Sequence, residues 1–346
     1  MKRSTSFKFH EYLIFTAALI VTVLICVCIG SVNLPLGDTI DVFVSVITRQ
    51  PQAEGTLASN ILLPIRLPRV ISAALVGAAL SLSGAAMQGL LKNPLADGST
   101  LGVSSGASLG AVISLAFGVK MPDLNIGMGA TMALAMLFAF VSLAGILLLS
   151  YRLDSSLSTN TIILMGVIFS MFASSLSSLV ITFAGDRVKT ITFWTMGSLQ
   201  SAGYQNAAVL LVSLLIFGGV ILSKAVELNA FAIGEDNARS IGVNVRSVKL
   251  AVLICASAMI GVCVAVSGTI GFVGLVTPHM VRLITGPNHK RLLPASVFGG
   301  AVFLMLSDLA ARILLNPREL PIGVVTSMIG SVVFIYIFCN SRKGGR

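Results

Sequence analysis

Nine stretches of this chain carry no Asp, Glu, Lys or Arg: residues 12–37, 70–91, 98–119, 124–151, 155–185, 190–223, 250–281, 292–307 and 320–341. A helix needs about 20 apolar residues to cross roughly 30 Å of hydrocarbon, so each stretch predicts a membrane span. Stretch 250–281 is longer than one span needs and is interrupted by Gly268, Gly271, Gly274 and Pro278. It predicts one full span followed by a shorter, broken one, which brings the count to ten. Barrel strands would alternate with a period of two over short segments, and no segment does.

Three soluble-facing segments stand out between the spans. Residues 33–60 predict an external loop, and 186–200 an external stretch with a short helix around Phe193 and Trp194. Residues 227–249 predict short helices lying on the inner membrane surface. From composition alone that segment reads either as a solvated connector or as a site for another protein.

Composition agrees with the pattern. The 346 residues are 55% hydrophobic and only 10% charged, against about 25% charged in soluble domains. A soluble globule, a disordered chain, a coiled coil and a collagen are all excluded. The net charge of +10 would suit nucleic acid only if gathered on a soluble face. Here the basic residues lie between spans, and they set orientation. With ten spans and an internal start, fifteen of the 23 Lys and Arg fall inside and eight outside, among them Arg49, Arg66, Arg69, Lys120, Arg187, Lys189, Arg312 and Arg318. Both termini are therefore expected in the cytoplasm. Lys2, Arg3 and Lys8 precede a long first span with no Ala-x-Ala after it, which predicts a retained anchor rather than a cleaved leader.

Candidate chemistry is sparse. There is no GxxxxGK[ST] phosphate loop and no HExxH motif. His10, His279 and His289 are far apart, the five cysteines lie in apolar runs, and no metal site or cofactor is expected. No Gly-x-Ser-x-Gly with a plausible base supports an intramembrane hydrolase. Asp308 is the main acidic residue within a span, and Arg312 lies one helical turn later where it would neutralise it. An ion-coupled secondary carrier, which usually wants an unpaired intramembrane carboxylate, loses ground accordingly. Gly102, Gly106 and Gly110 share one helical face and predict close helix packing. Ser83-Gly84 precedes Pro94 as Ser267-Gly268 precedes Pro278, an echo that suits two halves of inverted topology.

Longer motifs carry a resemblance. Leu67-Pro68-Arg69-Val70, residues 76–84, Asn93-Pro94-Leu95-Ala96, residues 101–107, residues 193–198, residues 267–275, Pro278-His279-Met280-Val281-Arg282 and residues 319–326 together resemble the signature of the FecCD family. These are permease subunits of ATP-driven importers for iron-siderophores, haem and cobalamin. The resemblance covers nearly the whole chain outside the first span and its loop.

It implies an all-α integral membrane protein of the type II ABC importer permease fold, one domain over 1–346 with ten spans and inverted repeats. A second permease subunit, identical or paralogous, would pair with it in the lipid of the cell membrane. A cytoplasmic ABC ATPase dimer would receive a coupling segment at about 229–245, through Gly234, Glu235, Asp236, Ala238, Arg239 and Gly242. An extracytoplasmic substrate-binding protein would present acidic residues to Arg66, Arg69 and Arg312. The family's cobalamin permease narrows its pathway at positions matching Asn93, Leu95, Thr159 and Asn160, although Asn160 replaces a serine there. The implied activity is import of a ferric siderophore by alternating access, without catalysis by this chain. An ion-coupled carrier and a membrane-embedded enzyme are the competing readings.

Overall fold

The computed structural model describes residues 7–30, 32, 35–48, 57–98, 101–119, 129–155 and 158–343. Lys2, Arg3, Arg49, Lys120 and Arg346 of the orientation count, and residues 49–56 of the external loop, lie outside these. Every regular element among the described residues is helical: α1 (Phe9–Cys28), α2 (Leu36–Thr48), α3 (Leu57–Ile61), α4 (Leu67–Leu91), α5 (Val103–Phe117), α6 (Ala130–Leu153), α7 (Thr159–Thr182), α8 (Val188–Thr195), α9 (Tyr204–Ser213), α10 (Gly219–Ser223), α11 (Ala225–Phe231), α12 (Glu235–Ser240), α13 (Val245–Ser267), α14 (Val273–Thr285), α15 (His289–Ile313) and α16 (Ile322–Lys343).

Among the described residues, seven helices are long and apolar enough to cross a membrane: α1, the α3–α4 rod, α6, α7, the α9–α10 rod, α13 and α15. α5 and the Ile322–Ile337 part of α16 are shorter apolar segments, and α14 has 13 residues with Pro278 inside it. The ten expected spans require these three as the remainder. The long apolar stretch divides as the glycines predict, into α13 and α14 with a break at 268–272. α8 forms around Phe193 and Trp194, and α11 and α12 occupy the inner polar segment.

Two expectations change. The loop predicted at 33–60 contains α2 and α3. The second span begins well before residue 70: a continuous helix runs over Ala58–Leu91, 34 residues, through a π turn at Leu62–Arg66. Arg66 and Arg69 do not end it, because both are neutralised or capped inside the protein.

α4 and α13 form the centre, with 83% and 78% of their apolar windows buried, against 17% for α1 and α7. Around this pair the packing repeats. α4 lies against α15 and α14, as α13 lies against α6 and α5; α5 packs on α6, as α14 packs on α15. Matching α4–α7 to α13–α16 maps one set of contacts onto the other, which is the arrangement expected of inverted repeats. The backbones touch where side chains vanish: a Cβ on Gly84 would lie 1.9 Å from the Gly274 carbonyl oxygen, and one on Gly300 2.2 Å from that of Gly77. The α5 stripe does the same, with Gly106 against Ser142 and Gly110 against Leu134 of α6. The Ser-Gly echo is looser. Ser83 and Ser267 both bond back to the carbonyl four residues earlier, but Gly84 sits within α4 while Gly268 caps α13.

Candidate coupling and gating site

The segment after α10 alternates charge and small residues too quickly for another span, so it folds as two short helices. Gly234 separates them with φ 119°, a backbone state open mainly to glycine. Ala238 is fully buried and fixes α12 to the body. The helix ends in a Schellman turn: Gly242 N–H donates to Arg239 O at 2.9 Å and Val243 N–H to Ala238 O at 3.0 Å.

α12 divides its charges between two faces. Asp236 and Arg239 point outward, 99% and 54% exposed, and sit 3.9 Å apart. A pair so exposed adds little to stability, leaving both groups open to a partner. Glu235 turns inward instead. Lys249, fully buried on α13, approaches both Glu235 carboxylate oxygens at 2.8 Å, and the Thr159 hydroxyl donates to Oε1 at 3.3 Å. Of the charged residues expected to meet the ATPase, Asp236 and Arg239 thus point outward while Glu235 is engaged inside. Nothing in the sequence set Lys249 apart from other basic residues at span ends.

Two of the four expected gate residues, Thr159 and Asn160, stand beside this cluster. Lys92 ends α4 in the left-handed conformation, φ 48°, where its charge suits the negative helix terminus. Asn93 then turns the chain by accepting the Leu95 N–H at 2.9 Å, and Leu95 is half exposed. Thr159 and Asn160 open α7 behind the Ser158 cap. An open polar cleft of about 740 Å³ is lined by Lys92, Ser158, Thr159, Asn160, Gly234 and Glu235, among others. The structure thus brings the α7 pair and the coupling residues into one cleft, whereas Asn93 and Leu95 are not among the residues that line it.

At the opposite end the three arginines are inside the protein, 5%, 7% and 3% exposed for Arg66, Arg69 and Arg312. Arg66 donates to the carbonyls of Val27 and Cys28, both at 3.0 Å, and to that of Val32. Arg312 donates to Cys26 O at 3.2 Å. Together they satisfy the last carbonyls of α1, which its own helix cannot. Arg69 pairs with Asp308 and Glu319, each at 2.9 Å, and Arg312 pairs with Asp308 at 3.0 Å. The predicted neutralisation of Asp308 by Arg312 holds, with Arg69 as a second counter-ion that the sequence did not reveal.

Three of the quoted motifs meet near these arginines. Ser198 N–H donates to Ser267 O at 2.8 Å, while Ile322 and Gly323 N–H donate to Gly197 O and Met196 O, both at 3.1 Å. The Thr269 hydroxyl donates to Thr195 O. A Cβ on Gly268 would lie 2.2 Å from Trp194 O, so the ends of α8, α13 and α16 form one backbone joint. Each motif supplies one strand of it, which gives the signature a physical reason.

A family model described as the FecCD transport family matches residues 18–340. The chain belongs to the FecCD transport family. Among its relatives, the ABC transporter permease YvrB of Bacillus subtilis is 42% identical, covering 98% of this chain and 96% of that protein. The hemin permease HmuU of Yersinia pestis is 37% identical over 82% and 84%, and the vitamin B12 permease BtuC of Vibrio parahaemolyticus 35% over 91% and 93%. A solved metal-chelate type ABC transporter in an inward-facing conformation superimposes with a TM-score of 0.82 and 30% identity, over 96% of this chain and all of that one. This FecCD protein is thus a multi-pass permease subunit of an ABC importer, and as such it is not catalytic: ATP hydrolysis belongs to a separate ATPase. The absent phosphate loop follows from that division of labour.

Proposed function

We propose that this FecCD permease imports a ferric siderophore by alternating access, as one domain over 1–346 with both termini in the cytoplasm. The observation that carries the reading is the shared cleft, in which the coupling segment and the α7 gate residues lie together. α12, with Asp236 and Arg239 outward, would sit in the ATPase, and Asn93, Leu95, Thr159 and Asn160 would narrow the pathway. A second permease subunit would cover α7, whose apolar window is 17% buried and which still exposes Ser174, Ser175 and Ser178. Exposed hydroxyls on a span suit a subunit interface or a polar path better than lipid.

Docking of the binding protein is assigned to the Arg66, Arg69 and Arg312 end. Their burial specifies how. Arg69 already holds two acids, so a partner carboxylate competes with Glu319, which is 24% exposed, and not with Asp308, which is 1% exposed. Arginine suits such an exchange because its planar fork holds a carboxylate bidentately.

Cargo is read from the family, whose relatives are named for hemin, vitamin B12 and molybdate. Affinity purification should bring down a nucleotide-binding subunit, and the reconstituted complex should take up cargo only with ATP and binding protein. Uptake driven by an ion gradient alone would overturn the importer mechanism. Titration of the cognate binding protein should show tight binding of a ferric siderophore; tight binding of cobalamin or molybdate instead would overturn the cargo assignment alone.

A further inference from the structure

We propose that Lys249, Glu235 and Thr159 form the link that passes movement of α12 into α7. The inference rests on reading α12 as the ATPase contact, and it adds the internal element that the contact drives.

Lys249 is the fifth residue of α13 and is fully buried. A cation there is unfavourable twice over, because burial removes its water and the N-terminal part of a helix is its positive end. The Glu235 carboxylate compensates both, with Lys249 Nζ at 2.8 Å from each of its oxygens. The ion pair holds the start of α12 firmly against α13. The second contact of Glu235 is weaker in kind: a 3.3 Å bond from the Thr159 hydroxyl at the first residue of α7.

The two helices reached from Glu235 differ in how they are held. α13 has 78% of its apolar window buried and is fixed at the centre, whereas α7 has 17% buried. α7 packs on α5 and α6 rather than on the α4–α13 centre, so it can shift without disturbing that centre. α12 therefore pivots on the Lys249–Glu235 pair, and displacement of its outer face pulls on Thr159, where the cleft is lined by Thr159 and Asn160. A strong tie to the fixed helix and a light tie to the movable one turn a push on α12 into a tilt at the start of α7.

The test uses the complete transporter, with its ATPase and binding protein, in proteoliposomes. Spin labels on Leu164→Cys and Ser247→Cys, in a background without the native cysteines, report the distance between the first turns of α7 and α13 with and without ATP. The otherwise unaltered protein should show an ATP-dependent change. Lys249→Met and Thr159→Val should both diminish it and lower uptake per ATP hydrolysed on the order of tenfold, the scale of an ordinary coupling free energy; Lys249→Arg should retain both. An unchanging distance in the unaltered protein, or full distance change and full uptake in assembled Lys249→Met and Thr159→Val, overturns the link. If Lys249→Met does not assemble, Thr159→Val decides alone, since it removes one hydroxyl. Asp236→Lys with Arg239→Glu separates this from the underlying reading. If that double variant still binds the ATPase normally, α12 is not the contact. If it loses the ATPase while Thr159→Val transports normally, the contact stands and the link falls.

Discussion

Arg69 holds Asp308 and Glu319 with one guanidinium, and Arg312 closes the pair around Asp308 from the same helix. Asp308 is 1% exposed, so its charge has no water to fall back on. Truncating one member of such a buried set costs about 3–5 kcal/mol, because the remaining charge is left uncompensated. Arg69→Met should therefore sharply lower the melting temperature of the purified protein in detergent, and reversing Arg66, Arg69 and Arg312 together should abolish stable expression. Glu319→Gln tests docking without that damage. It leaves Asp308 paired and removes the competitor for a partner carboxylate, so binding-protein association should tighten; weakened or unchanged association argues against Arg69 as the acceptor. The sequence exposed the Asp308–Arg312 pair because both lie on one helix. It could not expose Arg69, which is 239 positions away from Asp308.

At the scale of elements, glycine placement decides how closely helices approach. Gly84 of α4 faces Gly274 of α14, and a Cβ would stand 1.9 Å from the opposing carbonyl oxygen. Gly84→Ala should destabilise the protein by about 1–3 kcal/mol through overpacking, read as a lower melting temperature in detergent. Gly145→Ala on α6 is the control: no heavy atom lies within 4 Å of its added Cβ, and the change should be neutral or slightly stabilising. Element existence was largely legible, since apolar runs mark spans and α8, α11 and α12 fall where polar segments were expected. Boundaries were less legible at α4. A charge normally marks the end of a span, but Arg66 caps the carbonyls of α1 and Arg69 meets two acids, so the helix carries both arginines inside its length. α2 was missed because a short external helix has no long apolar run to announce it.

For the whole molecule, the proposed sidedness rests on the distribution of basic residues and is open to direct test. In intact cells a membrane-impermeant maleimide should label Arg318→Cys and leave Asp236→Cys unlabelled until the membrane is opened; the reverse pattern would invert the orientation. The repeated packing of α4–α7 and α13–α16 puts breaks after α4 and after α13, and those breaks meet: Asp97, Gly98 and Ser104 line one small cavity with Thr269, Gly271 and Gly274. By itself the sequence determined that the chain crosses a membrane, where its apolar runs lie, which segments stay polar, and, through motifs spread over most of its length, which family it joins. These are properties of local composition and order along the chain. The tertiary structure decided which charges are spent inside and which remain for partners. In the sequence Arg66, Arg69 and Lys249 are charges at span ends and Glu235 is one charge of the inner polar segment; only neighbours from distant helices turn the first two into internal braces and pair Lys249 with Glu235. Partner distance in space, not position in the chain, sets whether a charge is neutralised.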